Sequence, residues 1–501
     1  MKRSRQITVG AFLSYLSVAF SIAAGLLYTP WMVRQIGQSQ YGLYTLASSL
    51  IGLFLVDFGL SSATARYVSR YHAQGDEEKV NAFLGTVYRL YLIIDAAIFI
   101  ALIAVYFCTD TIYKNLTAEE LSRFRVVYLM AAGFSVIQFP FTPLSGVLSS
   151  YELFVQQKLA DLLQRALTIL LVVAALLNGM GLYALVAANA AAGLAAIVLR
   201  LWMIRRHTGV RAAFRPVDRG LLKELFGFSA WITAASLAQR LIFNVTPSIL
   251  AVVASSSAIA VFGIVTTVEG YTFTITNAIN GMFMPKVSRI EVGGDRRETL
   301  QPLLLLVGRF QYALNGLILA GFAVVGREFI LLWMGEGFVD VYGAILLVLV
   351  PGLFYNSLQI GHTAVVVQNR VRVTALVNIA AGAINVGLSC FLSKRWGVLG
   401  AGLSICTAYL FRTAALLAIY HRTLPLDIPA FCRKCYLAFA PVIVITVLVG
   451  FLIKRLLPIG GWLSLAVHGG AVCLVYAGLT MAIGLNEAEK DRLKALIKKR
   501  P

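Results

Sequence analysis

Apolar runs of about 20 to 27 residues, separated by short polar or glycine-bearing links, recur along nearly the whole chain, and each is long enough to cross a hydrocarbon core of about 30 Å. Backbone polar groups cannot stay unpaired in lipid, so such runs have to be helices; a barrel would need alternating strands of about ten residues, and the sequence has none. The runs cover residues 7–33, 41–65, 82–107, 124–148, 153–177, 181–204, 227–253, 257–284, 300–325, 341–366, 371–393, 398–420, 435–456 and 462–484. An all-α, polytopic membrane protein of about 14 transmembrane helices follows. With 59% hydrophobic and 13% charged residues among 501, the chain is far above the roughly 45–50% apolar content of soluble domains.

Part of this pattern occurs twice. Tyr41-Gly42 opens one span and Phe262-Gly263 another; Val68-Ser69-Arg70 with Gly75-Asp76 closes the first, and Val287-Ser288-Arg289 with Gly294-Asp295 closes the second. The next helix agrees too, because Val87, Arg89 and Asp95 stand where Val307, Arg309 and Asn315 stand later. A likeness that keeps its place over two successive spans indicates a duplicated bundle. The matched spans are the second and third against the eighth and ninth, so the repeat is six helices long. Six crossings preserve direction, and the halves form a parallel repeat. The expected boundaries are a six-helix bundle over 1–206, a cytoplasmic linker over 207–226, a second six-helix bundle over 227–421, and two extra helices with a basic tail over 422–501. The linker, with Gly209, Pro216 and Asp218 among its basic residues, suits a hinge or an ordinary loop held on anionic headgroups.

The formal charge of +20 would suggest nucleic acid if it formed a soluble patch. It does not. The basic residues fall in alternate links, among them Arg66 and Arg70, Arg205 to Lys223, Lys286 and Arg289, Arg433 and Lys434, and the tail from Lys490. By the positive-inside rule these links and both termini are cytoplasmic. The opposite links, the longest being Thr109 to Arg123 and Arg327 to Asp340, leave no room for an external catalytic domain. The run from Ile7 to Val33 is too long for the apolar region of a signal peptide and reads as a retained first span. Cys432 and Cys435 are the close cysteine pair, but without a second pair or histidines at ligand spacing they do not make a metal site. There is no Walker phosphate loop and no His-Glu-x-x-His helix, so no cofactor and no ATP hydrolysis are expected.

Charges inside spans are expensive in lipid and normally face protein or water. Counted from the turn near Ser255, Arg240 and Glu269 reach nearly the same depth on successive antiparallel helices. Each lies on a polar stripe: Ser229, Thr233, Ser236, Arg240 and Asn244 on one helix, Thr266, Glu269, Thr276 and Asn280 on the next. Two such stripes suit a wet cavity, and the charged pair suits either a structural ion pair or a transport role. Arg89 and Arg309 are the repeat-related basic residues, placed to line a cavity or to snorkel. Arg412 adds a further basic group within a span. Asp161 precedes Arg165 by four residues, the spacing of an intrahelical salt bridge. Asp57, with Ser61 one turn on, suits a cap or a pair with Arg66, whereas Arg34 at the opposite mouth suits a headgroup anchor or a substrate contact. Asp57, Asp95, Asp161 and Glu269 are the acidic candidates for ion coupling or ion pairing.

The Tyr41-Gly42-Leu43-Tyr44 opening, Asp57-Phe58-Gly59-Leu60, the exit Arg66-Tyr67-Val68-Ser69-Arg70-Tyr71, and Thr29-Pro30 before Arg34 and Gly37 resemble the Wzx-type polysaccharide-biosynthesis flippases. These belong to the larger group that includes MATE drug exporters and lipid II flippases. The resemblance implies a MATE-like fold, two six-helix bundles about a central cavity plus two C-terminal helices. It also implies that an undecaprenyl-pyrophosphate-linked oligosaccharide, an O-antigen, capsule or exopolysaccharide repeat unit, is moved across a bacterial inner membrane. Its partners would be membrane lipids and the polymerase and chain-length proteins of the same pathway. Arg240, Arg309, Arg89, Arg412, Arg66 and Arg34 would then contact the pyrophosphate, because guanidinium offers planar bidentate hydrogen bonds to such a group. The lipid II branch carries several arginines in its first two helices, whereas Ala11 to Met32 holds none, which favours a repeat unit over a peptidoglycan precursor. The alternatives are a MATE-like exporter of organic cations, which would want an acidic cavity, and a membrane enzyme acting on lipid-linked sugars.

Overall fold

A computed structural model of the chain describes residues 3–214, 219–293, 296–368, 370–424, 426–487 and 489–490. Pro216 and Asp218 of the expected linker, Gly294-Asp295 of the repeat and the basic tail past Lys490 lie outside the described residues. The first helices are α1 (Arg3–Ile36), α2 (Gln38–Phe54), α3 (Leu60–Ala73), α4 (Glu77–Ile112), α5 (Ala118–Gln138), α6 (Leu144–Ser150), α7 (Phe154–Leu177) and α8 (Gly181–Thr208). They are followed by α9 (Arg219–Phe243), α10 (Thr246–Val253), α11 (Ser256–Gly293), α12 (Arg296–Met334), α13 (Val341–Ser357) and α14 (Gln359–Val367). The chain continues through α15 (Val371–Thr423), α16 (Ile428–Phe431), α17 (Ala438–Leu456) and α18 (Trp462–Leu479). Wide π-helical turns occupy Cys432–Leu437 and Thr480–Gly484. Among the described residues there is no strand.

Twelve elements among the described residues are long and apolar enough to cross a membrane. The expected span 41–65 is not one of them, because the helix breaks between Phe54 and Leu60 into pieces of 17 and 14 residues. The expected spans 371–393 and 398–420 are two helices of α15, divided by a kink where Gly397 turns to φ 52° and ψ −126°.

Contacts divide the chain into two compact units, Met1–Gly263 with Asn378–Gly397, and Ile264–Val377 with Val398–Pro501. Chain order had placed 227–263 with the second bundle. Side-chain bonds place it with the first: Asn244 Nδ2 donates to the Ser49 carbonyl at 3.3 Å, and Ser256 Oγ bonds both Ser39 Oγ at 3.1 Å and the Glu120 carboxylate.

In the first unit α7 packs on α8 and α1, α2 on α5, and α3 on α4 and α6. The repeat-marking glycines meet along one seam. A Cβ on Gly42 would lie 2.0 Å from the Ser256 carbonyl oxygen, and one on Gly263 would lie 3.0 Å from Thr45 Oγ1. The other repeat marker has a local role: Gly75, at φ 73°, reverses the chain so that Asp76 can cap α4. The Asp76 carboxylate accepts from the Lys79 backbone N–H at 3.0 Å and pairs with Lys79 Nζ at 2.7 Å. The Lys79 side chain first, and its backbone N–H second, hold that carboxyl below its ordinary pKa.

The stretch read as a hinge or an ordinary loop is docked as far as residue 214. Arg211 N donates to Asn81 Oδ1 at 2.8 Å, Ala213 N to the Asn81 carbonyl at 2.9 Å, and the Arg89 guanidinium lies 5.6 Å from the Phe214 ring. In the second unit α12 is central, packing on α13, α17 and α18.

Candidate functional site

The break between α2 and α3 gathers three of the expected residues. A helix that ends inside a membrane leaves carbonyls at its C-terminus and N–H groups at the next N-terminus without partners. Both sets are supplied by charge. The Arg240 guanidinium, on α9, donates to the Gly52 carbonyl and to the Leu55 carbonyl at 2.8 Å. Asp57 accepts from the Ser61 N–H at 3.4 Å and from Ser61 Oγ at 2.9 Å, and Tyr91 Oη of α4 also donates to it. A cation therefore sits at the negative end of α2 and an anion at the positive end of α3, the arrangement helix dipoles favour. Phe58 and Gly59 make the turn at φ 51° and 67°, a region glycine enters freely and phenylalanine does not.

Asp57→Ala should remove the cap and the acceptor for Tyr91, costing about 1–2 kcal/mol. A thermal melt of the purified protein reads this; an unchanged midpoint would mean that the break holds itself. Hydrogen exchange should also find residues 55–59 opening more readily than the matching stretch of α11, which is continuous.

The remaining first-unit candidates disperse. Arg66 and Arg34 are exposed, and Arg34 is in the last turn of α1, where a cation suits the helix dipole. Asp95 is buried on α4 and its Oδ1 has no hydrogen-bond partner. Asp161 was expected to bridge to Arg165, but it pairs with Arg200 of α8 at 3.0 Å and Lys158 at 3.5 Å, while Arg165 donates to Ser21 Oγ. The tertiary partner wins because α7 and α8 lie side by side.

In the second unit Glu269 accepts from Tyr409 Oη at 3.4 Å. Arg412, 3% exposed, stacks 4.1 Å from the Tyr355 ring and 5.8 Å from that of Tyr409, and lies within electrostatic reach of Glu269 and His362. Arg240 and Glu269 thus each have partners within their own unit. The stripe on α11 also has an occupation other than a wet wall. Gln311 Nε2 donates to Asn280 Oδ1 at 2.7 Å, Asn315 Nδ2 to Thr276 Oγ1 at 3.3 Å, and Asn356 Nδ2 to Asn315 Oδ1 at 3.1 Å, so these buried amides tie α11, α12 and α13 together.

Arg309, expected as a cavity contact, is committed elsewhere. Its Nε and Nη2 donate to Glu489 at 2.9 and 2.8 Å, Nη2 also to the Gly484 carbonyl at 2.8 Å, and Nη1 to the Lys434 carbonyl. Both carbonyls belong to the π-helical turns, whose wider spacing disturbs the usual backbone pairing. Arg309 so pins the last helices to α12.

Sequence reasoning passed over Tyr91, Glu120 and Glu489. Glu120 was recoverable: Thr117-Ala118-Glu119-Glu120 is a capping box, and the box forms, leaving Glu120 Oε1 to take Ser39 Oγ at 2.7 Å. Glu489 carries no local signal.

A profile of the polysaccharide biosynthesis protein family matches residues 7–291, more than half of the 501-residue chain. The chain is similar to a Shigella flexneri protein whose name calls it a candidate O-antigen transporter, 22% identical over 388 residues, 75% of this chain and 88% of that protein. It is similar in the same degree to the uncharacterized membrane protein EpsK of Bacillus subtilis, 22% identical over 420 residues, 80% of each. Among solved structures, the inward closed lipid II flippase MurJ superposes with a TM-score of 0.71 at 13% identity, over 94% of this chain and 99% of that one. An inward-facing multidrug MATE transporter gives 0.65 at 15% identity, over 84% and 99%. At these identities the two structures speak for the fold, which is MATE-like.

Proposed function

The chain belongs to the polysaccharide biosynthesis protein family, and from that premise we propose that it is a flippase for an undecaprenyl-pyrophosphate-linked oligosaccharide. It is a multi-pass membrane transporter, not an enzyme. In this reading it works by alternating access in a bacterial inner membrane with both termini in the cytoplasm, beside the polymerase and chain-length proteins of its pathway. The family match carries the reading, and the likeness to the Shigella protein supports an O-antigen or related repeat unit as cargo.

The buried arginines give the proposal its chemistry. A diphosphate cannot cross hydrocarbon unescorted, and a guanidinium held over an aromatic ring, as Arg412 is over Tyr355, keeps its charge in a desolvated place. Arg240 would serve by exchanging the carbonyls of Gly52 and Leu55 for phosphate oxygens. Arg89 and Arg309 would have to leave their present partners in the same way. Glu269 sets the release: a carboxylate near Arg412 competes with the cargo, so that the site does not trap it.

Arg412→Gln and Arg240→Ala should each lower export about tenfold to a hundredfold at equal expression, since hydrogen bonds to charged groups contribute about 1.5–3 kcal/mol. Arg34→Ala should change it less than about twofold, as an exposed rim charge contributes little. Normal export by both inner variants would remove these residues from the site. The function itself is tested by depleting the protein in its host and identifying which undecaprenyl-linked sugar accumulates on the inner leaflet. No accumulation, with altered drug resistance instead, would favour export of organic cations.

A further inference from the structure

A groove of about 770 Å³ opens in the second unit where the end of α11, the start of α12 and the two π-helical turns come together. One part of its lining is basic. Lys286, Arg433 and Lys434 present exposed side chains there, and Arg309 is buried behind them. The other part is apolar, with Leu303 and Leu306 from α12 and Ile483 and Leu485 from the second π-helical turn and the residue after it. The groove's carboxylate, Glu489, is taken by Arg309 at 2.8 Å. Among the described residues no ion pair engages the side chains of the other three cations.

A lining of this kind selects for an amphiphile. Three cations without an ion pair among the described residues favour an anionic headgroup, a zwitterionic one brings its own repelled ammonium, and a soluble anion gains nothing from the leucine wall. The three cations belong to links whose basic character marks the cytoplasmic side, and basic pockets between membrane helices on that side are where phosphate headgroups bind. The volume lies within the range of small-molecule sites. We propose that this groove holds one anionic phospholipid, with its phosphodiester among Lys286, Arg433 and Lys434 and an acyl chain along Leu303, Leu306 and Ile483. The lipid would bridge α11 and α12 to the π-helical turns, adding a second fastening beside the Arg309 clamp. The inference rests on the groove alone and not on the identity of the exported cargo.

The test uses the purified full chain in detergent, titrated with phosphatidylglycerol or phosphatidylcholine, with native mass spectrometry counting retained lipid and a thermal melt reading stabilisation. The wild type should retain one phosphatidylglycerol per chain and melt higher with it, and phosphatidylcholine should do neither. Removing two headgroup cations, in the double variant Arg433→Gln with Lys434→Gln, should lower the affinity about tenfold or more. Leu306→Trp, which fills the groove and leaves every charge in place, should lose the lipid as well. Equal retention of phosphatidylcholine, or wild-type affinity in either variant, overturns the proposal. So does an equal, variant-sensitive stabilisation by inorganic pyrophosphate, which would assign the groove to a diphosphate and not to a lipid.

Discussion

Glu489→Ala should destabilise the folded protein by about 3–5 kcal/mol, the usual consequence of leaving one member of a buried ion pair uncompensated. The pair is bidentate, with side-chain exposures of 10% for Arg309 and 17% for Glu489, so little water can replace the lost carboxylate. Arg309→Met should cost a similar amount for a different reason, because the carbonyls of Lys434 and Gly484 lose their donor and Glu489 keeps a charge without a partner. Combining Arg309→Met with Glu489→Leu should recover much of the loss, since an apolar pair can replace a buried ionic one at little net change. The two carbonyls would still lack a donor, so recovery stays incomplete. A double-mutant cycle on thermal melts measures the coupling. Additive losses, or a Glu489→Ala protein that melts with the wild type, would show that α17 and α18 are held to α12 by packing alone.

Gly42→Val should be more damaging still, and its effect should appear as lost folded protein. A side chain at this position has to displace the Ser256 backbone, since the Cβ alone would come within 2.0 Å of the carbonyl oxygen and 2.9 Å of its carbon. Overpacking ordinarily costs about 1–3 kcal/mol, and it costs more where the obstacle is main chain that cannot rotate away. Ser256 is also held through its hydroxyl to Glu120 and Ser39, which stiffens the obstacle. Gly263→Val supplies the contrast, because its nearest neighbour is the Thr45 side chain at 3.0 Å, which can give. Gly133→Ala meets nothing within 4 Å and should be silent. The monodisperse fraction on size exclusion ranks the three; a Gly42 variant no worse than the Gly263 variant would mean that the seam has slack.

Helical character and membrane-length spans were legible in the sequence because each rests on a local period. The repeat glycines were visible as marks, and their meaning as a close crossing came only from what lies across from them. The break at residues 55–59 was hidden for a physical reason. Val56, Phe58 and Leu60 keep the run apolar, and no hydropathy measure separates a continuous span from one whose end groups are satisfied by Arg240, 188 residues away from Gly52. Asp161 shows the limit of local pairing rules. Arg165 stood at the favoured spacing, and Arg200 of the neighbouring helix took the carboxylate. Arg309 shows it more strongly, with a partner 180 residues on, where no pattern along the chain links the two.

The interrupted helix sets residues 41–65 apart from the stretch after Gly263 that shares its sequence marks. A helix broken at residues 55–59 can bend there at the cost of the few side-chain bonds from Arg240 and to Asp57 that hold its end groups, whereas an unbroken helix must stay straight or be strained along its length. Of the two stretches with matching sequence marks, only one was given an elbow.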